Sequence, residues 1–228
     1  MSEAQTFIQA LALGLDPAWR RAPDAARQED GRRFAEAVDA GAGDGVTTTA
    51  YSSVGLEPGV DILLWRTAPT VDVLETAAAA LLRAGLGRWL SVGHSLVGRI
   101  GPSQYVRKPT EQEQSVFAGE RSRYLIVYPF TKSTEWYLLS KEARQGVMNE
   151  HMRVGHAYPT VRQALAYSFG LDSQDFVVAY ETDDLAVFGD LVRDLRGTES
   201  RRSTVSDTPI LLGIRRPMDE ILSLLGAP

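Results

Sequence analysis

Few residues in this chain can carry chemistry. Its 228 residues include no cysteine and only three histidines, at positions 94, 151 and 156. Disulfides, thiolate-held metals, iron–sulfur clusters and thiol nucleophiles are therefore excluded. His94, between Gly93 and Ser95 in a strand-like pattern, reads as structural. His151 and His156 stand five apart at the end of a predicted helix, whereas two ligands on one helical face need a spacing of three or four, so a chelating pair of the zinc type is disfavoured. Two readings remain open for them: a helix-terminal imidazole favoured by the helix dipole, or a lone fifth ligand to a haem iron, which needs no second protein ligand.

Other polar residues decide less. Glu142 and Glu150 fall on an exposed helical face, Asp183 and Asp184 read as helix caps, and Glu181 and Glu199 lie near element ends where solvation is the default. Gly98 to Gly101 is too short for a dinucleotide fingerprint, and no serine elbow occurs. Attention therefore falls on residues 124–171, which hold two of the three histidines, Trp136 and five of the eight tyrosines.

The elements that must position this stretch are those of an ordinary globular chain. With 44% hydrophobic residues it can bury a real core. A net charge of −5 and no long run of like charge leave no electrostatic footprint for nucleic acid or an anionic membrane. Nowhere do about 18 apolar residues occur together, so no transmembrane helix and no membrane insertion are expected. The apolar run 7–15 follows Glu3 without a basic region, so no signal peptide is expected, and a cytoplasmic location is the default.

Residues 1–44 read as an N-terminal helical segment, with Asp16 and Pro17 opening one helix and 24–40 forming an amphipathic second. Residues 45–107 read as strand 47–54, turn 55–59, strand 60–65, a helix over 70–86 capped by Thr70, and strand 89–100. A polar link, 108–123, leads to 124–228: strand 124–130, a helix over 139–153 with Leu139, Ala143, Val147 and Met148 inward, a helix over 185–195, a closing strand 210–214 and a final helix 218–225. Ala50-Tyr51-Ser52-Ser53-Val54-Gly55-Leu56 is echoed by Ala166-Tyr167-Ser168-Phe169-Gly170-Leu171, and each is followed by an Asp that opens the next strand. Echo and element order together predict an α+β chain of two duplicated ferredoxin-like units that associate as a dimeric α+β barrel.

The runs Tyr128-Pro129-Phe130, Lys132-Ser133, Glu135-Trp136-Tyr137-Leu138-Leu139, 142–148 with His151, 155–161 and Tyr167-Ser168-Phe169-Gly170-Leu171-Asp172 are similar to those of a known family. The chain resembles the chlorite dismutase-like haem proteins, and within them most closely the coprohaem decarboxylases, over about residues 19–214. The resemblance implies an enzyme that uses hydrogen peroxide to convert two propionates of iron coproporphyrin III to vinyls, giving haem b. The iron porphyrin is then both cofactor and substrate, and a homo-oligomer, commonly a pentamer, is implied as the assembly. Carried onto this sequence, Tyr128 is the radical-forming phenol, Lys132 the propionate partner or proton donor, and His151 the neutral axial ligand, with Glu199 as acceptor for its second nitrogen.

Trp136 lines the implied pocket, and Ser103, Tyr105 and Arg123 are further propionate contacts. The position that chlorite dismutases fill with arginine falls at Gln163, next to Arg162, which argues against chlorite chemistry. Two alternatives share the scaffold: a peroxidase or pathway-specific oxidoreductase with permanent haem b, and a non-catalytic haem-binding protein in which Tyr128 only packs.

Overall fold

A computed structural model describes residues 5–106, 112 and 119–228. Most of the predicted 108–123 link lies outside the described residues. The chain divides into two compact units, residues 1–100 with 211–228, and residues 101–210.

The first unit opens with a strand where the sequence suggested helix. β1 (Thr6–Leu15) is almost entirely buried from Ile8 onward, paired antiparallel on both sides. A strand covered on both faces has no polar alternation to announce it, so its apolar run is indistinguishable from a buried helix by pattern. A short 3-10 helix, Pro17–Arg21, follows, with Asp16 Oδ1 accepting from Ala18 N at 2.8 Å. Then come α1 (Asp24–Ala40), β2 (Thr47–Glu57), β3 (Val60–Ala68), α2 (Val71–Arg83) and β4 (Leu90–Ile100). Thr70 caps α2 as expected, its Oγ1 accepting from Val73 N at 3.3 Å. The strands lie in the order β4-β1-β3-β2, all neighbours antiparallel. Leu11, Leu13, Ile62 and Leu64 point from one face into a core with Trp19, Phe34, Leu81 and Leu86.

The second unit has the same succession. β5 (Tyr124–Lys132) leads through two helices, α3 (Thr134–Leu138) and α4 (Lys141–Gly155), to β6 (Arg162–Tyr167) and β7 (Phe176–Thr182). Next come α5 (Leu185–Arg196), a 3-10 turn at Glu199–Ser203 and the short β8 (Thr204–Ser206). Its strands run β8-β5-β7-β6, again antiparallel, so first and third strands are central in both units. Asp184 caps α5 as expected, accepting from Ala186 N and Val187 N.

Leu139 departs from expectation. It is 40% exposed in an extended link, because its N–H closes α3 onto Glu135 O and Trp136 O and Ser140 then caps α4 afresh. Ala143, expected inward, is exposed as well.

The expected closing strand forms where the sequence places it, and its residues group with the first unit. β9 (Leu211–Arg215) pairs with β2 through Tyr51↔Arg215 and Ser52↔Ile214, and α6 (Met218–Leu225) buries Ile221, Leu222 and Leu225 in the first core. Among the described residues no helix is long and apolar enough to cross a membrane.

One buried carboxylate organises the first unit. Asp30, 8% exposed, accepts at Oδ2 from the indoles of Trp19 and Trp89, each at 3.2 Å, and at Oδ1 from Arg88 at 2.9 Å. Gly85, at φ +45°, lets the backbone pass where a Cβ would lie 2.1 Å from Asp30 O. Asp30→Ala leaves two indole N–H groups without their acceptor. It is expected to lower unfolding free energy in urea by about 2–4 kcal/mol at unchanged m-value.

Candidate functional site

The residues singled out by the sequence that can act together lie on one face of the second unit's sheet. Side chains alternate along a strand, so Tyr128 and Phe130 share a face of β5. Register places Ile126 opposite Tyr180 and Gln163 opposite Tyr180, which puts Gln163 on that same face. The Tyr128 and Tyr180 rings stack at 6.1 Å, and Tyr180 meets Phe188 of α5 at 5.2 Å, so this is the face the helices cover. Arg162, the neighbour of Gln163, points the other way and donates to Glu181 Oε2 at 2.6 Å. Glu181 is fully buried and is also held by Arg121, so the guanidinium of Arg162 belongs to an ion-pair cluster on the opposite face.

Tyr128 is half-buried, and its phenol is pushed well above the usual range, by desolvation first and then by Tyr180, to whose hydroxyl it hydrogen-bonds. Lys132, only 7% exposed, ends β5. Its Nζ donates to Ser200 O at 2.8 Å and Ser200 Oγ at 2.9 Å, and lies 4.4 Å from the Trp136 ring centre and 5.3 Å from that of Phe130. Burial, with Arg201 nearby, lowers its pKa to about 8. Trp136 is buried, and Tyr105 packs edge-on against it at 6.4 Å.

His151 sits on α4, whose Gln145 donates to Tyr105 O at 3.2 Å. Burial first, and the Lys132 charge second, lower its pKa to about 4, so the imidazole is neutral at any pH above that. Its Nδ1 is buried and has no hydrogen-bond partner among the described residues. An imidazole that stays neutral offers iron a nitrogen lone pair, and one such ligand is enough where a macrocycle supplies the remaining donors.

The remaining candidates have partners of their own. The Glu199 carboxylate turns to Arg202 Nε at 3.3 Å and is 55% exposed, so it does not take up His151 Nδ1. Ser103 Oγ accepts from the backbone of Tyr105 and Val106 and serves a turn. Arg123 is exposed over the Tyr124 ring at 5.2 Å. His156 is an exposed residue at the end of α4, its N–H on Met152 O. Sequence reasoning missed Ser200, Tyr180 and Asp175. Only Tyr180 carries a local signal, its position in the alternating run from Phe176, because the other two act through partners far along the chain.

Comparison with known proteins assigns the class. A profile of the family described as chlorite dismutase matches residues 27–216, and the chain belongs to that family. Among its relatives, the coproheme decarboxylase of Mycolicibacterium smegmatis is 32% identical over 177 residues, covering 77% of this chain and 75% of the relative. The chlorite dismutase of Ideonella dechloratans is 26% identical over 194 residues, covering 79% and 66%. Among solved structures, the chlorite dismutase of Candidatus Nitrospira defluvii in complex with imidazole is 28% identical with a TM-score of 0.88, covering 99% of this chain and 97% of that one.

A pH experiment follows from His151. Its folded pKa, about 4, lies below the usual 6.5, so the unfolded chain binds a proton that the folded one refuses. This contribution is fully present above pH 6.5 and is lost as pH falls through 6.5 towards 4, on the order of 3 kcal/mol in all. In urea unfolding, the stability difference between wild type and His151→Gln is expected to shrink by that amount between pH 7 and pH 4.

Proposed function

We propose that this chain is a haem-dependent oxidoreductase that decarboxylates iron coproporphyrin III to haem b with hydrogen peroxide. The observation that carries the reading is a half-buried His151, kept neutral by desolvation and by the charge of Lys132, the residue that ends the strand carrying Tyr128. The likeness to a coproheme decarboxylase over three quarters of both chains supports it. The twin orders β4-β1-β3-β2 and β8-β5-β7-β6 support two ferredoxin-like copies as the scaffold. A homo-oligomer and a cytoplasmic location belong to the same proposal.

Iron porphyrin supplies the capacity to reduce peroxide, and the chain's residues direct that capacity at the propionates. Each propionate reacts with one peroxide and one proton to give a vinyl group, carbon dioxide and two waters. Tyr128 loses its phenolic hydrogen, and the resulting radical takes a hydrogen atom from the propionate chain. Tyr180 holds the Tyr128 hydroxyl in place. Lys132 has used two of its three N–H groups on Ser200, leaving one for a propionate carboxylate. His151 would hold the iron as a neutral imidazole, and Trp136, buried against Lys132 Nζ, would help to keep water from the site. Gln163 shares the sheet face of Tyr128 as a neutral side chain, which cannot hold an oxyanion as a guanidinium does. Ser103, Tyr105, Arg123 and Glu199 have no direct role in this scheme.

Mass spectrometry of the porphyrin after incubation with peroxide tests the reading. Wild type is expected to yield two successive carboxyl losses, and Tyr128→Phe none; full conversion by Tyr128→Phe sinks the mechanism. His151→Ala is expected to change the absorption spectrum of the bound iron porphyrin, and an unchanged spectrum means that His151 is not the ligand.

A further inference from the structure

A second phenol in the same unit is better equipped than Tyr128 to give up a hydrogen atom. Tyr137 Oη donates to Asp175 Oδ2 at 2.7 Å, and the same oxygen accepts from Lys132 N, also at 2.7 Å. The Tyr128 hydroxyl, in contrast, has another phenol for a partner. A phenol loses an electron readily only if its proton leaves at the same moment, and a carboxylate is a far better proton acceptor than a phenol at neutral pH. Tyr137 is 38% exposed, so small molecules in solvent can reach it. It is also the chain neighbour of Trp136, whose buried ring lies against Lys132 Nζ. Phe169, itself 48% exposed, meets the Tyr137 ring edge-on at 5.9 Å and gives an aromatic molecule a surface to lie on. Tyr158 also donates to a carboxylate, that of Asp194, but has no tryptophan beside it.

We infer that Tyr137 and Asp175 form a second redox site, where an oxidising equivalent is passed to small phenolic or enediol donors in solvent. The Tyr137 O–H bond breaks, its proton goes to Asp175 Oδ2 and its electron to the oxidant. The donor then returns a hydrogen atom to Tyr137 and departs as its own radical, and Asp175 releases its proton to solvent. Two such turns supply the two electrons and two protons that convert one hydrogen peroxide to two waters. Only the identity of the oxidant rests on the function proposed above. Asp175 also fixes Lys132 N, so it joins this site to the end of β5. The raised pKa of Tyr137, from burial and then the Asp175 bond, accords with a proton held between the two groups.

Two arms separate this inference from that reading. In the first, the full chain without porphyrin is oxidised by photogenerated tris(bipyridine)ruthenium(III) with a nitroso spin trap, and adducts are mapped by peptide mass spectrometry. In the second, iron coproporphyrin III and hydrogen peroxide replace the photo-oxidant. A Tyr137 adduct is expected in both arms, retained in Tyr128→Phe and reduced at least tenfold in Asp175→Asn, which keeps an oxygen acceptor but removes the base. Absence of the wild-type adduct in the first arm, or equal yield there in Asp175→Asn, overturns the inference. If Asp175→Asn fails to fold, the wild-type first arm in deuterated water decides: a slower Tyr137 oxidation supports coupled proton transfer, and an unchanged rate overturns it. Failure of the chain to bind the porphyrin sinks the function reading alone, because the first arm still stands.

Discussion

The second unit depends on one buried ammonium. Desolvation disfavours a charged lysine, as the lowered pKa of Lys132 records, so its position is tenable only where polar and aromatic groups surround the charge. Ser200 supplies a carbonyl and a hydroxyl, and Trp136 and Phe130 supply ring faces. Each of these comes from a different element. The end of β5, the α3 turn and the 3-10 turn at Glu199–Ser203 are therefore tied together at one atom. The same charge then reaches His151 on α4 and helps to keep its imidazole neutral.

Strand alternation distributes the remaining chemistry between two faces. Tyr128, Tyr180 and Gln163 look towards the helices, while Glu181 and Arg162 look away. Two arginines bracketing one fully buried carboxylate make a rigid cluster on that second face. Removing either partner of such a cluster would leave a buried charge uncompensated. The cluster also takes Arg121 from the segment that leads into β5, so it holds the start of the strand that carries Tyr128. Beyond it, Gln112 Nε2 reaches Gly155 O, Tyr158 O and Val161 O between α4 and β6, so a residue of the preceding link also braces the segment after His151.

What was legible in the sequence was local. Thr70 and Asp184 cap their helices because a side-chain oxygen within three residues of a free N–H needs nothing from the rest of the fold. The motifs around Tyr128, Lys132 and His151 led to the right family, and the spacing of four between Tyr128 and Lys132 suits one face of a strand. What was not legible was long-range. β1 has no signature because it is buried on both faces, and the pairing of β9 with β2, through Tyr51↔Arg215 and Ser52↔Ile214, joins residues too far apart in the chain for any local pattern to show. Ser200 and Asp175 bond to partners 68 and 43 residues away, and no pattern within a window of the chain announces them. Glu199 was expected to reach His151, yet an arginine three residues on captured its carboxylate.

The orphaned Nδ1 of His151 bears on how a porphyrin would be held. A ligating imidazole whose second nitrogen donates to a carboxylate becomes more basic and binds iron more firmly. Here burial removes water from Nδ1, no acceptor among the described residues replaces it, and the Lys132 charge opposes protonation of the ring, so the imidazole stays a weak donor. Weak donation suits a chain whose iron porphyrin is reactant and then product, because a product must leave. A permanent cofactor calls for the opposite arrangement, an acceptor behind the histidine. The direction in which Glu199 turns, outward to Arg202 and away from His151, is therefore the feature of this site that most favours turnover of the porphyrin over its retention.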